Sequence, residues 1–132
     1  MAAKDFYHQH VKQSLVNDEW TITHDPLKVE WMGTNVQVDL GAERLLGAEK
    51  GTRKIAVEVK SFLSASDFTD LYNALGQFVL YRKALAKKEP MRVLFLAIRA
   101  STYDEVFTHP DNQDCWQANR SSCWSLIPTR RR

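Results

Sequence analysis

Two periods alternate along this chain, and each marks a class of element. In "KDFYHQHVKQSLVND" Val11 and Leu15 lie four apart with Phe6 leading in, the spacing of an amphipathic helix, here over residues 4 to 17. "WTITHDP" then reads as a short β-branched strand closed by Asp25 and Pro26, because proline cannot donate to a ladder. "NVQVDL" alternates, with Val36, Val38 and Leu40 on one face and Asn35, Gln37 and Asp39 on the other. "LLGAEKGTRKIAVEVK" reads as a hairpin turning at Lys50, Gly51 and Thr52, whose second strand sets Ile55, Val57 and Val59 against Ala56, Glu58 and Lys60.

After Phe62 the period changes from two to nearly four. Phe68, Leu71, Leu75, Phe78, Val79 and Leu85 form a broad apolar stripe, which predicts a long helix over residues 66 to 88. Ser64 or Ser66 is placed to cap its start, Asp67 and Asp70 suit its positive end, and Pro90 stops it. "RVLFLAI" has the continuous apolar character of a central strand covered on both faces, and Ser101 is placed to cap a short helix through Phe107. From His109 onward neither period is present. The reading is one domain over residues 1–110 and an irregular tail over 111–132 ending in three arginines.

Helix, strand, meander, helix and central strand in that order suit an α/β fold with a mixed central sheet flanked by helices. The valines of residues 35 to 40 and 54 to 60 are expected to share one sheet and pack against the long helix. The 132 residues, 44% of them hydrophobic, are enough for one core and too few for two. The formal net charge of +2 neither demands nor excludes a polyanion, so a nucleic-acid site would have to be local. No stretch approaches the ~20 apolar residues of a membrane helix, and the polar start is no signal peptide, so the expectation is a cytoplasmic protein without a membrane partner. Cys115 and Cys123 form no CxxC pair, which argues against a disulfide framework or zinc.

On this layout Asp39, Glu58 and Lys60 project from the polar face of the sheet together. Two neighbouring carboxylates suit a hard divalent cation such as Mg2+, or Mn2+, and a lysine beside them can orient an attacking water and offset charge on a phosphate. The same alternation is also what any half-exposed sheet displays, and on that reading Glu58 does no more than pair with Lys54 or Lys60. Asn73, Gln77 and Tyr81 recur every four residues on the long helix, a polar stripe suited either to rimming the carboxylates or to bracing the sheet. His8 is read as a hydrogen-bonded packing residue, and Trp20 and Trp31 as packing at strand ends.

Three strings together, "DFYHQHVKQSLVNDEWTITHDPL", "VDLGAERLLGAEKGTRKIAVEVKSF" and "NALGQFVLY", resemble the XisH family, the fdxN element excision controlling factor proteins of cyanobacteria, over residues 3 to 110. That family is similar in fold to the restriction-endonuclease-like PD-(D/E)xK nucleases. The resemblance maps their motif onto Asp39, Glu58 and Lys60, and the QxxxY element of some branches onto Gln77 and Tyr81. It implies a role in controlling programmed excision of a DNA element during cell differentiation, with DNA and a small XisI-like protein as partners; a homo-oligomer is compatible with it. The expected metal ligands are Asp39, Glu58 and the main-chain carbonyl of Val59. Where many nucleases of that superfamily carry a glutamate in the first helix, this chain has Asp5, His8, Gln9 and His10. Three roles remain open on these grounds: a Mg2+-dependent endonuclease-like protein, a regulatory binding module with an idle acidic patch, and a structural half of a complex with XisI.

Overall fold

The computed structural model describes residues 3–47, 51–61, 67–111 and 126–129. Helix α1 (Ala3–Asn17) leads into strands β1 (Thr21–His24), β2 (Leu27–Trp31), β3 (Thr34–Val38), β4 (Leu40–Gly47) and β5 (Gly51–Val59). Helix α2 (Asp67–Lys88), strand β6 (Arg92–Arg99), helix α3 (Ala100–Thr102), a π-helical turn (Tyr103–Phe107) and strand β7 (Leu126–Thr129) follow. The large sheet runs β1-β4-β5-β6-β7, antiparallel up to β5 and parallel beyond it, while β2 and β3 form a separate antiparallel ribbon. The fold is α/β with a mixed central sheet flanked by helices, as the element order implies.

Both faces of the sheet are covered, by different partners. Tyr7, Val11 and Leu15 of α1 pack with Leu40, Ala42, Ile55, Val57, Val59 and Ala97. On the other face Leu71, Ala74, Phe78, Tyr81 and Leu85 of α2, with Leu27, Val29 and Val38 of the ribbon, pack on Ala56, Leu94, Leu96 and Ile98. The expectation that the β5 valines meet the long helix is therefore corrected. They meet α1, and the alternate face, with Ala56 and Glu58, lies under α2 and the ribbon.

A second correction concerns residues 35 to 40, which are not one strand of the shared sheet. β3 ends at Val38, Asp39 is a bend, and only from Leu40 does the chain pair with β5, opposite Val57. The ribbon escaped notice because "LKVEW" carries only two inward aliphatics, and because its turn is a two-residue Met32-Gly33 pair. Both turn residues hold positive φ (54° and 75°), the geometry of a tight hairpin, which glycine adopts without strain.

Local signals account for the ends of α1 and for smaller departures. The Trp20 amide donates to the Leu15 carbonyl (2.9 Å) and the Glu19 amide to that of Val16 (3.0 Å), with Glu19 at φ 69°, the Schellman arrangement, and Leu15 and Trp20 share a core cluster. Tyr7 rather than Phe6 enters the core, and on α2 Phe68 and Val79 face outward, since a 22-residue helix presents only one arc to the sheet. Arg99, not Ser101, precedes the short helix, which passes into the π-turn. β7, parallel to β6 from Leu96↔Leu126 to Arg99↔Thr129, shows that the tail is not wholly irregular; four residues are too few to show a period. Ser64, Ser66, Lys50, both cysteines and the terminal arginines lie outside the described residues. Among the described residues no helix is long and apolar enough to cross a membrane.

Candidate active site

Asp39 reaches the site because it sits where the chain leaves the ribbon and enters the large sheet. Its carboxylate Oδ2 accepts the amide of Val59 at 2.7 Å, and its own amide donates to Oε1 of Glu58 at 3.2 Å. The two acids are thus tied reciprocally through main-chain N–H groups. Lys60 Nζ lies 3.4 Å from Glu58 Oε2 with a fifth of its side chain exposed, and its amide donates to the Ala97 carbonyl (3.0 Å), which holds the end of β5 against β6.

Glu58 is only 5% exposed, which removes the reading of its face as an ordinary solvated surface. Burial first, then the neighbouring Asp39 charge, push its carboxyl from the usual 4.5 up to about 8, against the opposing pull of Lys60 and of the Asp39 amide. Tyr81, on the α2 face over the sheet, is pushed to about 12 by burial and then by the Glu58 and Asp39 charges. It therefore keeps its phenolic proton at any physiological pH.

The polar stripe of α2 runs from solvent into this region. Four residues turn a helix by ~400°, so each step advances the stripe about 40° toward the core. Asn73 is accordingly exposed, Gln77 half-buried and Tyr81 buried. Gln77 Oε1 is buried with no hydrogen-bond partner among the described residues, an acceptor left available on the sheet side of the helix. The structure thus brings Asp39, Glu58, Val59 and Lys60 into direct contact and sets Tyr81 within their field, but it leaves Asn73 outside.

Residues of the first helix serve another cluster. His8 Nε2 lies 3.0 Å from Asp25 Oδ1 and Lys12 Nζ donates to Asp25 Oδ2 at 2.7 Å. Burial works against ionisation of Asp25, but the hydrogen bonds and charges of Lys12 and His8 outweigh it and hold the carboxyl below its ordinary range. His8 is thus a bonded, half-buried histidine as read from the sequence. The reading of the sequence missed the main-chain part of the site, the paired amides of Asp39 and Val59, and no side-chain signal marks it, since polar and apolar residues alternate straight through Asp39.

Among the described residues no group of three or more His, Cys, Asp or Glu side chains converges in a way that would hold a metal. The donor set that is present, two carboxylates with one of them buried beside the other, still fits a hard divalent ion. Such an ion needs only one or two protein carboxylates, takes its other oxygens from water, main chain or substrate, and offsets both the burial and the Asp39 charge that raise Glu58.

A family model described as XisH protein matches residues 1–124. A crystal structure of an XisH family protein from Nostoc punctiforme PCC 73102 is 38% identical, with a TM-score of 0.78, covering 93% of this chain and 89% of that one. That of an fdxN element excision controlling factor protein from Anabaena variabilis is 43% identical, with a TM-score of 0.77, covering 88% of this chain and 85% of that one. Comparison with curated proteins gives no match.

Proposed function

Because the chain belongs to the XisH family, we propose that it is a factor controlling excision of a DNA element, the role stated for its Anabaena variabilis relative, and that it acts through a PD-(D/E)xK-like site. The observation that carries the site is Glu58: a carboxylate 5% exposed, accepting a hydrogen bond from the Asp39 main-chain N–H and 3.4 Å from Lys60. Burying an acid beside another acid costs stability unless positive charge is brought to it, and that is the arrangement of a cation site.

Asp39, Glu58 and the main-chain carbonyl of Val59 would hold one Mg2+ or Mn2+ ion. Such an ion supplies Lewis-acid polarisation of a phosphodiester and a more acidic water nucleophile. The protein supplies the rest. Glu58, protonated at neutral pH in the free site, releases its proton when positive charge arrives. Lys60, pinned at the end of β5 by the hydrogen bond its main-chain N–H donates to the Ala97 carbonyl, places an ammonium where it orients water and offsets charge on the reacting phosphate. Tyr81 retains its proton and acts as a hydrogen-bond donor to a phosphate oxygen, and Gln77 supplies an acceptor that positions water. The substrate class is DNA, and the reaction is hydrolysis of its phosphodiester bond.

A second reading has its own support. Asp39 Oδ2 and Glu58 Oε1 each already accept a main-chain N–H, so the pair also serves as a latch fastening the bend at residue 39 to β5. On that reading the chain is a regulatory or structural subunit acting through a small XisI-like partner. Incubating supercoiled plasmid with the purified protein and Mg2+ or Mn2+, alone and with the partner, separates the two. Metal-dependent nicking that is lost in Lys60→Ala is expected; absence of nicking in every condition would leave the latch as the role of the acids.

A further inference from the structure

The ladder between β4 and β5 sets unlike charges against each other at one rung and like charges at the next. Glu43 stands opposite Lys54, their charged groups 3.8 Å apart, on the side of the sheet that carries Ala56. Arg44 stands opposite Arg53, on the α1 side with Ala42 and Ile55. Like charges directly opposite destabilise a strand pair. Each guanidinium lies over an aromatic ring, Arg44 4.4 Å from the centre of Trp20 and Arg53 6.0 Å from that of Phe95. Arg44 also donates to the carbonyl and to Oδ2 of Asp18, at 3.3 and 3.4 Å, but that side chain is 75% exposed and so exposed a pair holds little. Arg53 has no hydrogen bond or ion pair among the described residues.

Both arginines border a cavity of about 330 Å³ whose walls are Val11 and Leu15 of α1, Ile55, and the rings of Trp20 and Phe95. We infer that this cavity binds a mononucleotide, with its phosphate on Arg44 and Arg53 and its base among the apolar walls. One guanidinium satisfies a carboxylate, whereas the three terminal oxygens of a phosphate monoester can be shared by two, and the register sets the Cβ atoms of these two ~5 Å apart. Stacking on a ring occupies the face of a guanidinium and leaves its in-plane N–H groups to donate. Apolar walls reject a phosphorylated sugar, whose hydroxyls would be buried unpaired, and accept a flat base. The exposed Asp18 carboxylate is an acceptor for the amino edge of that base. Ser14 Oγ, which donates to the His10 carbonyl at 2.9 Å and also lines the cavity, keeps a lone pair for the same purpose. The volume lies at the small end of ligand pockets, which suits one nucleotide and not a dinucleotide.

The cavity is separate from the acids. Arg53 precedes Glu58 by five residues, ~17 Å along an extended strand, and faces the other side of the sheet. The inference uses neither the metal nor Lys60, so failure of the nicking assay leaves it intact. A free nucleotide and the 5′-phosphorylated end of a DNA strand present the same chemistry to the cavity, a nucleoside bearing a terminal phosphate.

Isothermal titration calorimetry of the full chain with dAMP, and in parallel with deoxyadenosine and inorganic phosphate, tests it, with circular dichroism as the check on folding. The parent is expected to bind dAMP about tenfold or more tighter than either fragment. Arg53→Gln, at an exposed position, and Arg44→Gln should each weaken dAMP by about tenfold or more, the loss of a charged hydrogen bond. Ser14→Leu fills the cavity from α1 and leaves both arginines, so it should weaken dAMP while inorganic phosphate binds as before. Displacement of dAMP by a 5′-phosphorylated oligonucleotide, but not by its 5′-hydroxyl counterpart, assigns the strand end as the source, and displacement by neither assigns the free nucleotide. Displacement by both overturns the role of the terminal phosphate. Binding of dAMP no tighter than inorganic phosphate, which is attraction for an anion only, overturns the proposal. So does affinity undiminished in both arginine variants, or a parent that does not bind dAMP.

Discussion

Replacing Glu58 by glutamine should make the protein more stable at neutral pH than at acid pH relative to its parent, with metal chelated throughout. Glutamine has the shape of the protonated acid and keeps an acceptor for the Asp39 amide, but it carries no charge to bury. The folded-state carboxyl titrates at about 8 and the unfolded one near 4.5, so between those values the folded state holds a proton that the unfolded state has lost. Parent stability therefore falls as pH rises from about 4.5 to about 8, by up to ~1.4 kcal/mol per unit, and this contribution is flat above the folded pKa. The glutamine variant lacks this slope while sharing the titrations of groups remote from the site. Between pH 5 and pH 7 the difference in stability between variant and parent should widen by as much as ~3 kcal/mol. For a chain of this length that is roughly 10 °C in Tm, well within the reach of calorimetry or dye-monitored melting. A difference that stays constant from pH 5 to pH 8 would refute the buried neutral acid and with it the electrostatic case for the site.

Mg2+ at ~100 times its dissociation constant should stabilise the parent by about 2.7 kcal/mol and Asp39→Ala by much less, read as the metal-induced change in Tm; equal shifts in both proteins would place the ion elsewhere. Gly41→Ala should cost ~1–3 kcal/mol in chemical denaturation. The reason is that its Cβ would come within 3.1 Å of His24 Nδ1 and 3.2 Å of Arg92 Nη1, and that guanidinium is held by a 2.8 Å bond to the Ile55 carbonyl. An unchanged midpoint would mean that His24 yields freely. In ultraviolet difference titration, the signal lost in Tyr81→Phe should be a phenol ionising near pH 12; one ionising near pH 10 would place Tyr81 away from the acids.

The elements legible in the sequence were those whose partners are local or whose pattern is long. The 22 residues of α2 carry enough apolar positions to declare their period, and β6 declares itself by an unbroken apolar run instead. Asp39, Glu58 and Lys60 were found by type and spacing, because side-chain alternation puts Glu58 and Lys60 on one face whatever else the chain does. What covers that face was not legible. A polar residue on an alternate strand position reads as solvated, and the ribbon and α2 that bury Glu58 come from residues 27–38 and 67–88, on either side of it in the chain. The break at residue 39 was equally hidden, since "NVQVDL" alternates without interruption through a point where the backbone changes sheets.

That change of sheets has a mechanical meaning. β3 and β4 are joined by one residue, so the ribbon is a lever whose fulcrum is Asp39, with a far end at the exposed Met32-Gly33 turn. Leu27, Val29 and Val38 clamp the lever to the body of the protein, and Lys88 and Glu30, 3.2 Å apart, tie its outer stretch to the end of α2. A tilt of the ribbon about Asp39 would have to break that clamp and would also strain the 2.7 Å and 3.2 Å bonds joining Asp39 to Val59 and Glu58. The same two bonds that hold the acids together therefore also fix the angle between the ribbon and the sheet.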